Sequence, residues 1–144
     1  MPRYDPERIQ RLISSLREAV RHLKRLKTLD EKEFLKDIDK IASTKYHFVI
    51  AIESAIDICN HIIAQNGFRA PKDYADTFVV LGERGVFEED FLKDLKNMAR
   101  FRNRLIHLYW EVDNKQVYKI LQTCLDDFGR FLQAIADYLK LGKD

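Results

Sequence analysis

Glycine and proline are scarce in this 144-residue sequence, with five and three copies. A β sandwich or barrel wants a turn signal about every 8–12 residues, and the chain cannot supply them. Cysteine is rarer still. Cys59 and Cys124 lie far apart inside apolar periodic segments, the usage of buried thiols in a reducing compartment and not of a secreted disulfide framework. The first residues are charged from position 3 and hold no apolar core, so no signal peptide is read there. The longest uninterrupted apolar run, residues 48–52, is far short of the ~20 residues of a membrane span. These absences lead to the expectation of a cytoplasmic protein with no membrane partner. An excess of one charge is missing too. Lys and Arg number 25 against 23 Asp and Glu, a net +2, so bulk charge neither demands nor excludes nucleic acid. Any basic surface must be local.

What is present is apolar periodicity. With 46% hydrophobic and 33% charged residues the composition is that of a globular domain. A chain of this length buries roughly 68–70% of its unfolded surface and needs no metal or disulfide staple. Asp5-Pro6 signals a helix start, and Ile9, Leu12, Ile13, Leu16, Ala19, Val20, Leu23 and Leu26 then recur at three- and four-residue steps. That helix ends near Lys27. Asp30 and Glu33 resemble a capping box for a short helix through Lys36. The spacing predicts a long helix over residues 38–65, closed by Asn66-Gly67, and a short one over 73–81 after Pro71. A further helix is predicted over 88–109, and a last one over 115–141 after Asp113-Asn114. No strand and no repeat is evident. The expected fold is all-α: one domain over 1–144, an antiparallel four-helix-type bundle with one or two short extra helices.

Several chemistries fall away. Di-iron bundles need Glu-x-x-His pairs, and no Glu is followed by His three places on. Cys59 and His61 point to different faces of a helix. No P-loop, Gly-x-Gly-x-x-Gly or Gly-x-Ser-x-Gly occurs. Gly82-Glu83-Arg84-Gly85 has the GXXG form used by KH domains, but those need strands. A helix-to-helix turn is the better reading.

The unusual stretch is Phe101-Arg102-Asn103-Arg104-Leu105-Ile106-His107-Leu108-Tyr109-Trp110, which holds Arg-x4-His-x-Tyr. For this composition chance supplies Arg-x4-His about 0.33 times per chain and the longer form about 0.014 times. A second Arg-x4-His, Arg17 to His22, lacks the tyrosine and has Lys24 in its place. The longer motif is moderately specific.

This stretch resembles the signature of the HepT toxins, bacterial and archaeal members of the HEPN superfamily. The resemblance covers most of the chain, including residues 53–61, the connector 71–78 and the turn 81–85. The first helix and the C-terminus match by helical pattern alone. It implies a HEPN-like helical homodimer with metal-independent ribonuclease activity on RNA such as tRNA or mRNA. It also implies a cognate MntA-like antitoxin, a minimal nucleotidyltransferase that transfers AMP onto the motif tyrosine. Arg102, Asn103, His107 and Tyr109 match the family's motif. No cofactor and no metal are expected.

The residue types fit that chemistry on their own terms. Cleavage of RNA by its own 2′-OH needs a base, an acid and cationic cover for the phosphorane. A histidine serves as acid or base near neutrality, and arginine presents a charged fork to phosphate oxygens. These roles fall to His107 and Arg102. The motif offers no carboxylate cluster for Mg²⁺, so the expected products are a 2′,3′-cyclic phosphate and a 5′-OH. On an ideal helix Arg102 and His107 are about 140° apart, which suits a groove walled by two chains. Lys93, Lys96, Arg100 and Arg104 step along the same helix and are candidates to guide a phosphate backbone.

Glu53, Asp57, Asn60 and His61 form a polar strip on an otherwise apolar helix. They either line the same cleft and orient Arg102 or His107, or form a satisfied buried network. Tyr109 is the expected site of AMP attachment; the plain alternative is packing beside Trp110. A non-catalytic nucleotide- or RNA-binding HEPN module and a helical interaction protein remain the competing functions.

Overall fold

The structure is a computed structural model that describes residues 1–142. Among them it contains seven α-helices and one 3₁₀ turn: α1 Pro6–Lys27, α2 Glu31–Lys36, α3 Ile38–Asn66, α4 Tyr74–Glu83, α5 Glu89–His107, the turn Tyr109–Glu111, α6 Asn114–Thr123 and α7 Asp126–Leu139. Each start has a local cause. The carboxylates of Asp5, Asp30, Asp37, Asp73 and Asp113 accept backbone N–H groups of their own first turns. Gly67 closes α3 in the left-handed region (φ 63°) that a glycine adopts without strain.

α3 is the central element. It packs against α1, α4, α5 and α6, so it is apolar nearly all round. It is the one described helix long and apolar enough to cross a membrane, although its longest unbroken apolar run is five residues. Here its Phe48, Ile52, Ile56, Ile58, Cys59 and Ile62 are all buried in the bundle. α1 runs antiparallel to it, and three contacts fix the register. The Asp5 N–H donates to His61 Nε2 at 2.9 Å; Ser15 and Ser54 share a hydrogen bond of 3.0 Å; the His22 and His47 rings lie 4.3 Å apart. α5 is held on α3 by Phe48 and Phe101, edge to face at 5.4 Å.

Two expectations need correction. The single last helix is broken at Cys124 and Leu125 into α6 and α7. The stripe Val117, Leu121, Leu125, Phe128 keeps helical spacing across the break, which hides it from periodicity. Asp126 and Asp127 supply an acidic first turn on the far side, the charge that a helix N-terminus favours. The helix carrying the motif stops at His107, and Tyr109 lies in the 3₁₀ turn beyond it. Short helices therefore exceed the one or two expected.

The connector between α3 and α4 is clamped by Arg69. Its guanidinium donates to both Asp76 oxygens (2.8 and 2.9 Å) and to both Glu83 oxygens (2.9 and 3.0 Å). Asp76 is held down to about 2, first by that arginine and then by the Lys72 N–H. The clamp fixes α4 and delivers Tyr74, its first residue, to the motif.

Candidate active site on α3, α4 and α5

Arg102 is the organising group. It projects from α5 toward α3, where Glu53 Oε1 accepts from its Nη2 at 2.6 Å and its Nε at 3.1 Å. Asn103 Oδ1 accepts from Nη1 at 3.1 Å, and the Tyr74 ring lies 4.7 Å from Cζ. The side chain is 11% exposed and that of Glu53 38%. A guanidinium carries five N–H donors. Three are engaged here, so one N–H on Nη1 and one on Nη2 remain for an incoming acceptor such as a phosphate.

His107 closes α5 and is exposed. Among the described residues it has no hydrogen bond or ion pair, so both ring nitrogens are open to a ligand. Leu108 leaves helical geometry (φ −127°, ψ 37°), and its N–H returns to the Arg104 carbonyl at 2.9 Å. The chain then turns through Tyr109 and Trp110, 52% and 77% exposed, before buried Val112 anchors it. Ile106 and Leu108 are exposed beside them, as are Tyr74 and Tyr46. Exposed large apolar side chains near a charged motif are the kind of surface that meets another molecule.

The polar strip on α3 divides. Of its four residues only Glu53 touches Arg102 among the described residues. Asp57 is exposed one turn further on, and partial desolvation followed by the charge of Glu53 raises its carboxyl against the pull of Arg8. Asn60 makes no side-chain hydrogen bond there. His61 turns to the start of α1, bonded to Asp5, and burial lowers its pKa, Asp5 opposing and Arg8 adding. His61 and Asp57 thus belong to the α1 side of the helix and neither orients the motif.

Of the basic residues on α5, Arg104 donates weakly to Gln116 of α6 at 3.5 Å, and Arg100 to Asn97 at 3.2 Å. Both stand about 160° round the helix from Arg102. Lys96, half-buried, lies on their side of α5. The three do not share the face that holds Arg102.

A family model described as Ribonuclease HepT-like matches residues 16–135. The chain belongs to this family. The HepT-like chain is 23% identical over 141 residues to a protein of Aphanizomenon flos-aquae named tRNA nuclease HepT, covering 96% of this chain and 95% of that one. It is 28% identical over 126 residues to one of Shewanella oneidensis named mRNA nuclease HepT, covering 86% and 95%. Among solved structures it resembles the tri-AMPylated Shewanella oneidensis HEPN toxin in complex with MNT antitoxin. The TM-score is 0.85 at 25% identity, over 92% of this chain and 99% of that one.

One residue of the site escaped the sequence. Lys45 of α3 lies with its Nζ 4.3 Å from the centre of the Tyr109 ring. Its signal was present: a single lysine in the interior of the most apolar helix.

Proposed function

We propose that this chain is a metal-independent endoribonuclease toxin that cuts RNA at Arg102 and His107, acts as a homodimer, and is silenced by AMP transfer onto Tyr109. The observation that carries the reading is Arg102: held mostly buried by Glu53 and Asn103, it keeps two unengaged donors on the helix that ends in His107. Bound phosphodiester would accept from that fork. An imidazole takes the 2′-OH proton, the alkoxide attacks phosphorus, and the 5′-oxygen leaves with a proton from a second imidazole or from the first after exchange. The products are a 2′,3′-cyclic phosphate and a 5′-OH. A second copy of the motif across a dimer axis supplies the second imidazole, and the exposed Ile106, Leu108 and Trp110 are the apolar material for that contact. The substrate class, tRNA or mRNA, follows the names of the two relatives. AMP attachment follows the modified Shewanella toxin and its antitoxin, with exposed Tyr109 as acceptor and a cognate MntA-like nucleotidyltransferase as donor enzyme.

The test is incubation of purified protein with total RNA and with tRNA in EDTA, beside His107→Ala. Cleavage that persists in EDTA and falls by ~10² or more in the variant is expected. Cleavage abolished by EDTA, or equal in the variant, overturns the mechanism.

A further inference from the structure

Among the described residues four polar or charged ones are buried: Thr44, Lys45, Ser54 and Thr77. Three are satisfied. Thr44 donates to the Lys40 carbonyl, Ser54 pairs with Ser15, and Thr77 donates to the Asp73 carbonyl. Lys45, 8% exposed, has neither a carboxylate nor a hydrogen-bond partner among the described residues. Its stem is packed in the bundle, yet its Nζ is not among the sealed, unpartnered atoms, so the head reaches the surface, against the face of Tyr109. A lysine that buries its stem and presents an unpaired head at the surface is free to meet an anion there. Burial lowers its pKa from the ordinary lysine value, the mark of a charge short of compensation.

Arg102, by contrast, is already matched by Glu53. Its fork gives geometry, while its charge is largely neutralised within the chain. Lys45 is a positive charge beside Tyr109 with no carboxylate partner among the described residues.

We propose that Lys45 is a second anion-binding residue of the motif, beside the Arg102 fork, and takes a phosphodiester group: that of RNA in the unmodified protein, and that of the AMP attached to Tyr109 in the silenced one. This deepens the ribonuclease reading and rests on it for the identity of the ligands. The Tyr109 Oη belongs to the ring on which the ammonium lies, so a phosphorus bonded to that oxygen would be carried by the ring that Lys45 covers. Silencing is then direct competition. The modification supplies in cis the anion that RNA would supply in trans, and occupies the charge for as long as the bond lasts.

The experiment uses the full chain carrying Lys45→Met, which keeps the buried stem and removes the charge, and Lys45→Arg, which restores charge. In the first arm, a short oligodeoxynucleotide of the same backbone, which lacks the 2′-OH and cannot be cleaved, is titrated by fluorescence anisotropy across a salt series. Lys45→Met should bind ~10-fold or more weakly, with the salt slope reduced by about one ion, and Lys45→Arg within a few-fold of the unsubstituted chain. In the second arm, protein modified by co-expression with the cognate nucleotidyltransferase is melted beside unmodified protein. The rise in Tm on modification should vanish in Lys45→Met.

A loss in either arm supports the proposal and names the source of the phosphodiester. No loss in both, with Lys45→Met folded by circular dichroism, overturns it and leaves the lysine a packing residue on Tyr109. Because the first arm needs no cleavage, it reads Lys45 even if the His107 variant shows the ribonuclease reading to be wrong. A purely structural lysine would move the melting temperature and leave the salt slope alone.

Discussion

Replacing Glu53 by glutamine removes one charge and keeps the shape of the side chain. In the native protein its Oε1 accepts twice from Arg102, at 2.6 and 3.1 Å. Removing one partner of a fully buried ion pair costs about 3–5 kcal/mol, because the other charge is left uncompensated. The pair here is only partly enclosed, with Glu53 38% exposed, and an amide oxygen still accepts one of the two bonds. Screening and that residual bond bring the expected loss down to about 1–2 kcal/mol. At about 2–4 °C per kcal/mol for chains near this size, the midpoint of thermal unfolding should fall by about 2–8 °C. The fork also loses its orientation, so kcat on RNA should fall ~10-fold while KM changes little. Calorimetry and a cleavage assay at matched salt read the two effects. A variant that unfolds with the unsubstituted chain and cleaves as fast would refute the claim that Glu53 positions Arg102. A variant that cleaves faster would refute it in the other direction, showing Glu53 to be a competitor for the phosphate.

Three further outcomes are expected. Co-expression of Tyr109→Phe with the cognate nucleotidyltransferase should give protein of unmodified intact mass that remains active; neutralisation that survives the substitution would mean inhibition by binding alone. The neutral His61 imidazole accepts the Asp5 N–H, and its folded pKa is lowered first by burial. The native state therefore binds fewer protons than the unfolded one just below the ordinary value of about 6.5. Stability should be complete above that value and decline as pH falls through it toward the lower folded pKa, and His61→Gln should flatten the decline; equal urea midpoints for the two proteins across that window would contradict this. Phe48→Ala should cost about 3–5 kcal/mol in urea unfolding, since the ring is 1% exposed and packs edge to face on Phe101. A loss under about 1.5 kcal/mol would place the core elsewhere.

The stripes of α1 and α3 were legible because apolar spacing records which face is buried. The break at Cys124 was not, since Val117, Leu121, Leu125 and Phe128 keep their spacing while the backbone between them changes course. Arg102, Asn103, His107 and Tyr109 could be read as one motif because they are neighbours in sequence. What Arg102 touches could not, because Glu53 lies 49 positions away. Periodicity put Glu53, Asp57, Asn60 and His61 on one strip, but a strip two turns long meets different neighbours at its two ends. His61 found Asp5 across 56 positions. Lys45 sits among Ser43, Thr44, Tyr46 and His47, so it read as part of a polar segment, and its contact with Tyr109 lies 64 positions away.

The Arg69 clamp has a cooperative consequence. Because one guanidinium grips both ends of α4, at Asp76 and Glu83, the helix cannot fray from either end independently. The connector and α4 should open as a single unit in native-state hydrogen exchange, and that opening carries Tyr74 off the Arg102 guanidinium. Exchange at α4 amides then becomes a clock for how often the motif arginine loses its aromatic cover. Raising ionic strength, which weakens the exposed clamp, should quicken that clock while the amides of central α3 keep their pace.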